Sequence, residues 1–434
     1  MRSKSFSKKN FTINLALILI SLLLSLLLVE FFLRAFYPKY QYAAESKYNR
    51  SATRIWSRQP NTRDLRLHPD NGHRHLVCHN NLALRQHRDF SEADLKSAIN
   101  IGFFGDSFTE NLRLPAQYSF TEPLDYLLNL SQQDFNVLNL GVDGYGTDQA
   151  FLYYQELDYA TDLDFVFYIF NSNDLRNIYE NNLFSIDDSG TLIKNPGVAS
   201  SWWVKVLSKL HVTYLGLDIW QRVFVPDDDE ILGLEEYFAR EDHSTRFHSQ
   251  RAEVIPTDLI IGKNNEDLKQ SIAIFQALLQ LWKNSVEENG GKFYIVILPK
   301  REEMLAADLI IGEQYTTINL FELFSNTVDN YSYVNYSFKN DGHWNEASNL
   351  LVAVHLYRFL EGEAELVSLP EDKLVEELYT YYSAFPDGWF YYSAFPDEWV
   401  AEVWKTSSSV AAKDLGSIRR KYLALENQSC KTGN

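Results

Sequence analysis

Four short runs of Phe, Ile, Val, Leu and Tyr divide the middle of this chain, and the stretches between the early ones carry apolar residues at helical spacing. The runs are Ile99 to Phe104, Phe135 to Leu140, Phe165 to Phe170 and Phe293 to Leu298. A strand that is apolar at nearly every position belongs in a sheet covered on both faces, and a helix between two strands is what lets them lie parallel. Ser119 to Leu130 and Asp148 to Tyr159 supply the first two crossover helices. The pattern predicts an α/β fold built on a mostly parallel sheet.

The rhythm breaks after the third run. Leu175 to Lys263 is long, rich in aromatics and acidic at Asp227 to Glu230, and reads as an insertion that caps the site. Asn265 to Glu288 then forms a helix with Leu268, Ile272, Phe275, Leu278, Leu279, Trp282 and Val286 on one broad face, stopped by Asn289, Gly290 and Gly291. A last core helix is expected from Asn345 to Leu360.

The N-terminus constrains location. Arg2, Lys4, Lys8 and Lys9 precede Phe11 to Leu33, a segment with almost no polar face. About 20 apolar residues cross a bilayer, and basic residues stay on the cytoplasmic side, so everything after Arg34 is expected outside the cytoplasm, in a periplasmic or extracellular space. A cleaved signal peptide is the rival reading. It wants small residues after the apolar run, whereas Phe31, Phe32, Leu33, Arg34 follow here, which favours a retained anchor.

A net charge of −18 argues against a nucleic-acid partner, because phosphate binding needs clustered Lys and Arg. Cys78 and Cys430 fit a disulfide or two free thiols equally well. His73, His75, Cys78, His79 and His87 crowd one stretch without a recognised metal spacing, and Asp227 to Glu230 lacks the alternation of a calcium loop. No metal and no cofactor are expected. Asp106 and Glu110 as a glycosidase pair fail because their spacing does not set them across a scissile bond. Near the end, YYSAFPDGWF from Tyr381 is followed by YYSAFPDEWV from Tyr391. Two copies make no solenoid; they give two aromatic turns or a sugar-stacking or membrane-contacting patch.

The chemistry sits at strand ends. The first run ends in Gly105-Asp106-Ser107-Phe108-Thr109, where an open α/β sheet binds its ligands. Taken alone this is a turn followed by a helix cap. The second run ends in Asn139-Leu140-Gly141-Val142-Asp143-Gly144-Tyr145-Gly146-Thr147, which lacks the Lys of a phosphate loop, and the dinucleotide-binding glycine pattern is missing after the first run. The third ends in Asn171-Ser172-Asn173-Asp174, and Asp341-Gly342-His343-Trp344-Asn345 stands before the last helix. Asp and His two apart on an extended segment can address one site, the carboxylate fixing the imidazole tautomer.

These four elements in this order resemble the SGNH/GDSL hydrolase family. Ser107 matches the nucleophile, Gly144 the block II glycine, Asn173 the block III asparagine, and Asp341 with His343 the acid and base. The spacing here is Asp-x-His, and block III keeps Asn-Asp while losing its glycine. The resemblance spans roughly residues 99–362. It implies a three-layer flavodoxin-like fold and an oxyanion hole made by the Ser107 amide, the Gly144 amide and the Asn173 side chain. It also implies a serine ester hydrolase working through an acyl-enzyme, with acyl or acetyl esters of envelope glycans or lipids as substrates. O-acetyl transfer to an exported polysaccharide, or a silent binding protein of the same fold, are the alternatives. The expected organisation is a tip and anchor (1–34), a linker and extension (35–98), the hydrolase-like domain (99–362, insertion 175–263) and an acidic, aromatic extension (363–434).

Overall fold

The computed structural model describes residues 8–36, nearly all of 51–196, 265–298, 310–320, 337–338 and 341–364, with isolated positions between 210 and 215 and between 366 and 382. The Asp227 to Glu230 run, Cys430 and most of the tandem repeat lie outside the described residues.

The first helix, α1, is Lys8–Phe36, and its 24-residue stretch Ile13–Phe36 is long and apolar enough to cross a membrane. Leucines 22 to 24 and 26 to 28 are all exposed, as suits a helix whose sides face lipid. Its one acid, Glu30, is paired with Arg34 one turn on (2.7 Å) and accepts a hydrogen bond from the Val212 amide (2.9 Å), beside which Leu33 packs on Val212 and Leu215.

The stretch read as a linker and N-terminal extension (35–98) carries two strands and a helix among its described residues. Strands β1 (Thr62–Leu67) and β2 (Arg74–His79) pair antiparallel from Thr62↔His79 to Leu67↔Arg74. Cys78 lies on β2 and is disulfide-bonded. Helix α2 (Glu92–Ser97) opens with a capping box, Ser91 Oγ accepting from the Asp94 amide and Asp94 accepting from the Ser91 amide.

The sheet then starts. β3 (Ile99–Gly105) runs into a short helix α3 (Ser107–Glu110), followed by α4 (Thr121–Leu128) and β4 (Phe135–Gly141). Next come α5 (Thr147–Glu156), β5 (Phe165–Phe170), α6 (Asn173–Asn181) and a hairpin of β6 (Phe184–Ile186) and β7 (Leu192–Lys194). After the undescribed stretch come α7 (Asn265–Glu288), β8 (Lys292–Ile297) and β9 (Thr316–Asn319). The ribbon β10 (Ser337–Phe338) with β11 (Asp341–Trp344) leads into α8 (Glu346–Glu363), capped by the Asn345 side chain.

Five strands form one parallel sheet in the order β4-β3-β5-β8-β9. Counted along the sheet strands alone this is 2-1-3-4-5, the flavodoxin-like order, whose switch point falls between β3 and β5. The alternation of side chains divides the core in two. Phe104, Leu140, Tyr168 and Ile295 face α5 and α7, around a fully buried Trp282. Phe103, Val137, Phe167 and Val296 face α4 and α8. The second layer also takes in Tyr381 and Tyr382, the first residues of the tandem repeat: Tyr382 stacks on Tyr118 at 5.9 Å, and the Tyr381 hydroxyl donates to the Gln117 carbonyl at 2.9 Å. At this pair the repeat is core, not an open sugar platform.

Candidate active site

The turn after β3 requires glycine. Gly105 has φ +154°, and a Cβ there would stand 2.3 Å from Thr109 Oγ1 and 3.0 Å from the Ile169 carbonyl oxygen. Asp106 caps α3, its Oδ1 accepting from the Phe108 amide at 2.9 Å, so the tripeptide is both a helix cap and the mount for a serine. Ser107 is 8% exposed at the start of α3, beside the switch point.

A hydrogen-bonded line runs from this serine. Ser107 Oγ is 2.6 Å from His343 Nε2, and His343 Nδ1 donates to Asp341 Oδ1 through a short contact. The same Asp341 oxygen accepts the His343 amide at 2.9 Å, and Oδ2 accepts from Arg113 Nε at 3.2 Å. Because β11 is extended, residues two apart share a face, which lets Asp341 and His343 act together. Phe108 stacks on the imidazole, 4.6 Å between centroids and 27° between planes, and limits its rotation. Partial burial opposes ionisation of Asp341, but its hydrogen bond to His343 and the charges of His343 and Arg113 outweigh that and hold the carboxyl well below its ordinary range. With Nδ1–H given to an ionised Asp341, Nε2 carries the lone pair that faces the serine proton.

The end of β5 arrives beside Asp106. Asn171 Nδ2 donates to Asp106 Oδ2 at 2.9 Å, and Asn173 Nδ2, at the start of α6, reaches the same oxygen at 3.4 Å. Asp106 is buried, and burial pushes its carboxyl up despite the donors around it. An amide nitrogen has two N–H bonds, so Asn173 keeps one beyond the contact with Asp106. Gly144 follows β4 in a turn closed by the Tyr145 amide on the Val142 carbonyl (3.0 Å), with φ +79° at the position where a type II turn needs glycine. Gly141 allows a close approach: a Cβ there would lie 2.4 Å from the Glu110 amide nitrogen.

Four residues around the site are given no part in it by the sequence pattern. Arg113 spans Asp341 and, at 3.7 Å, Asp143. Glu110, fully buried at the end of α3, accepts from Arg58 Nε (2.7 Å) and Nη2 (2.8 Å) and from His79 Nε2 (2.9 Å). It also accepts the Asp143 amide at 2.6 Å. Burial opposes its ionisation, but Arg58 and His79 outweigh that and hold it far below the ordinary carboxylate range. Among the other histidines of that stretch, His75 donates to the Leu112 carbonyl at 3.0 Å. The only cue to Arg58 and His79 is the unusual density of Arg and His before β3.

No family profile and no curated protein matches the sequence. Among solved structures, the chain is similar to a catalytic mutant of an acetylxylan esterase from Geobacillus stearothermophilus. The likeness covers 60% of this chain and 94% of that one at 10% identity, with a TM-score of 0.32. A likeness of that size assigns no activity here.

Proposed function

We propose that this chain is a serine ester hydrolase, and that its Ser107, His343 and Asp341 form a catalytic triad. The observation that carries the reading is the unbroken contact from serine to imidazole to carboxylate. His343 Nε2 takes the Ser107 proton as Oγ bonds to the ester carbonyl carbon. The oxyanion so formed is held by the amides of Ser107 and Gly144 and by the Asn173 side chain. As the intermediate collapses, the imidazolium returns its proton to the departing alkoxide, leaving an acyl-serine. An acceptor hydroxyl then gives its proton to His343 as its oxygen bonds to the acyl carbon, and the imidazolium returns that proton to Ser107 Oγ as it leaves. Water as acceptor releases a carboxylic acid; a sugar hydroxyl receives the acyl group and makes the chain an O-acetyltransferase. No cofactor is required by this scheme.

The apolar α1 behind a basic tip supports an anchored protein with its catalytic part on the far side of the membrane, acting on acyl esters of envelope glycans or lipids. Supplying p-nitrophenyl acetate with and without oligosaccharide, and measuring acetate against acetylated sugar, separates the two acceptors. Turnover that survives Ser107→Ala overturns the assignment. Retention in membranes after a carbonate wash tests the anchor, and release into the wash contradicts it.

A further inference from the structure

We infer that Glu110, held by Arg58 and His79 from the segment between the membrane helix and the sheet, is the positioning residue for the turn that carries Gly144. The inference rests on the proposed reading of Gly144 as an oxyanion donor.

An ionised carboxylate with no exposed surface costs several kcal/mol in desolvation unless its partners are well placed. Here they fill it. Oε1 accepts from Arg58 Nε and His79 Nε2, and Oε2 accepts from Arg58 Nη2 and the Asp143 amide. A carboxylate has about four acceptor directions, so all are used and the group cannot rotate. Burial lowers the His79 pKa, which keeps the imidazole neutral with its Nε2–H toward Glu110.

The consequence falls on one peptide. Asp143, whose N–H is fixed by Glu110, immediately precedes Gly144, and the same turn is closed on its other side by the Tyr145 amide on Val142. Tyr145 is in turn tied to the N-terminal segment: its hydroxyl donates to the Trp56 carbonyl at 2.6 Å, and Arg54 Nη1 donates to that hydroxyl at 3.1 Å. Trp56 covers Gly144 itself, 3.6 Å from where a Cβ would stand. Both corners of the turn are therefore braced from residues 54–79, with Glu110 as the link that joins that brace to the helix bearing Ser107. A glutamine at 110 offers one oxygen and one NH2 to four donors, so it must turn a donor against a donor.

The test uses the full chain in detergent, with p-nitrophenyl acetate as substrate and phenylboronic acid as a mimic of the tetrahedral intermediate. Glu110→Gln and His79→Leu are expected to lower kcat by about 100-fold, the scale of losing one oxyanion donor, and to weaken boronate inhibition by a similar factor. KM should stay within about twofold in both, because ground-state contacts are untouched. His79→Gln, whose side-chain NH2 can replace the imidazole Nε2–H, should recover most of the His79→Leu loss; if Glu110→Gln fails to fold, the His79 pair gives the answer. Folded variants with wild-type kcat and boronate inhibition overturn the inference. So does His79→Gln as impaired as His79→Leu. Turnover that persists in Ser107→Ala instead removes the esterase reading beneath it, which distinguishes the two failures.

Discussion

Ser107 Oγ and His343 Nε2 lie 2.6 Å apart although 236 residues separate them in the chain. One is mounted after the first sheet strand and the other on a two-stranded ribbon after the last, so their meeting depends on the whole sheet being assembled in 2-1-3-4-5 order. Asp341 gives the pair its direction.

Replacing Asp341 by Asn removes the acceptor that holds Nδ1–H and offers an NH2 in its place, which favours the wrong imidazole tautomer. The expected loss in kcat is on the order of 10⁴-fold with little change in KM. Steady-state hydrolysis of p-nitrophenyl acetate measures it, and a loss below tenfold counts against a role for the carboxylate.

Asn173→Ala should lower kcat by about 10²–10³-fold, as for other oxyanion donors. Its melting temperature should hold, because Asp106 Oδ2 keeps the shorter contact with Asn171 at 2.9 Å. A variant that melts early with normal kcat assigns Asn173 to the framework instead.

Gly141→Ala places a Cβ 2.4 Å from the Glu110 amide nitrogen and 2.5 Å from Thr109 Cβ. Backbone on one side and a buried strand on the other leave no room to yield, and overpacking of this kind costs about 1–3 kcal/mol or more. Gly342→Ala, with nothing within 4 Å, is the control. Thermal melts of the two should separate clearly; equal melting temperatures contradict the close approach of α3 to β4.

Asp148 is fully buried, and burial raises its carboxyl from an ordinary 3.8 to about 7 despite hydrogen bonds from Asn181 and the Gln149 amide. Between those values the folded chain holds a proton there that the unfolded chain has lost. Stability from this group is therefore complete below about 3.8 and falls as pH rises through about 7. Asp148→Asn removes that dependence. The variant's melting temperature relative to wild type should climb from pH 4 to pH 7 and then level off, and a flat difference contradicts the raised value.

The parts of the fold legible in the sequence are those where one periodicity acts alone. β5 is apolar at every position and was bounded at Phe165 and Phe170 by its neighbours; α7 has one continuous apolar face and a glycine stop. β9 has no clear signature in the sequence, because Thr316-Thr317-Ile318-Asn319 is an edge strand with a single buried residue, which leaves too little pattern to read. The hairpin of β1 and β2 is hard to read for a related reason: its arginines and histidines interrupt the apolar alternation of a strand. Ser107 and the Asp341-x-His343 pair stand out in the sequence because each lies in a short local motif at an element boundary, although 236 residues separate Ser107 from His343. Glu110, Arg58 and His79 do not, because a buried ion pair joins residues 52 apart and nothing local distinguishes such a glutamate from an exposed one.

If His343 activates Ser107 as a nucleophile, a fluorophosphonate probe should react at that serine. Treat the intact chain and a His343→Ala variant with the probe, and follow the modified residue and its rate by mass spectrometry of peptides. A single adduct on Ser107 is expected in the intact chain, forming at least ~100-fold more slowly without the imidazole, within the range general-base assistance supplies. An unmodified Ser107, or an equal rate in the His343→Ala variant, contradicts that activation.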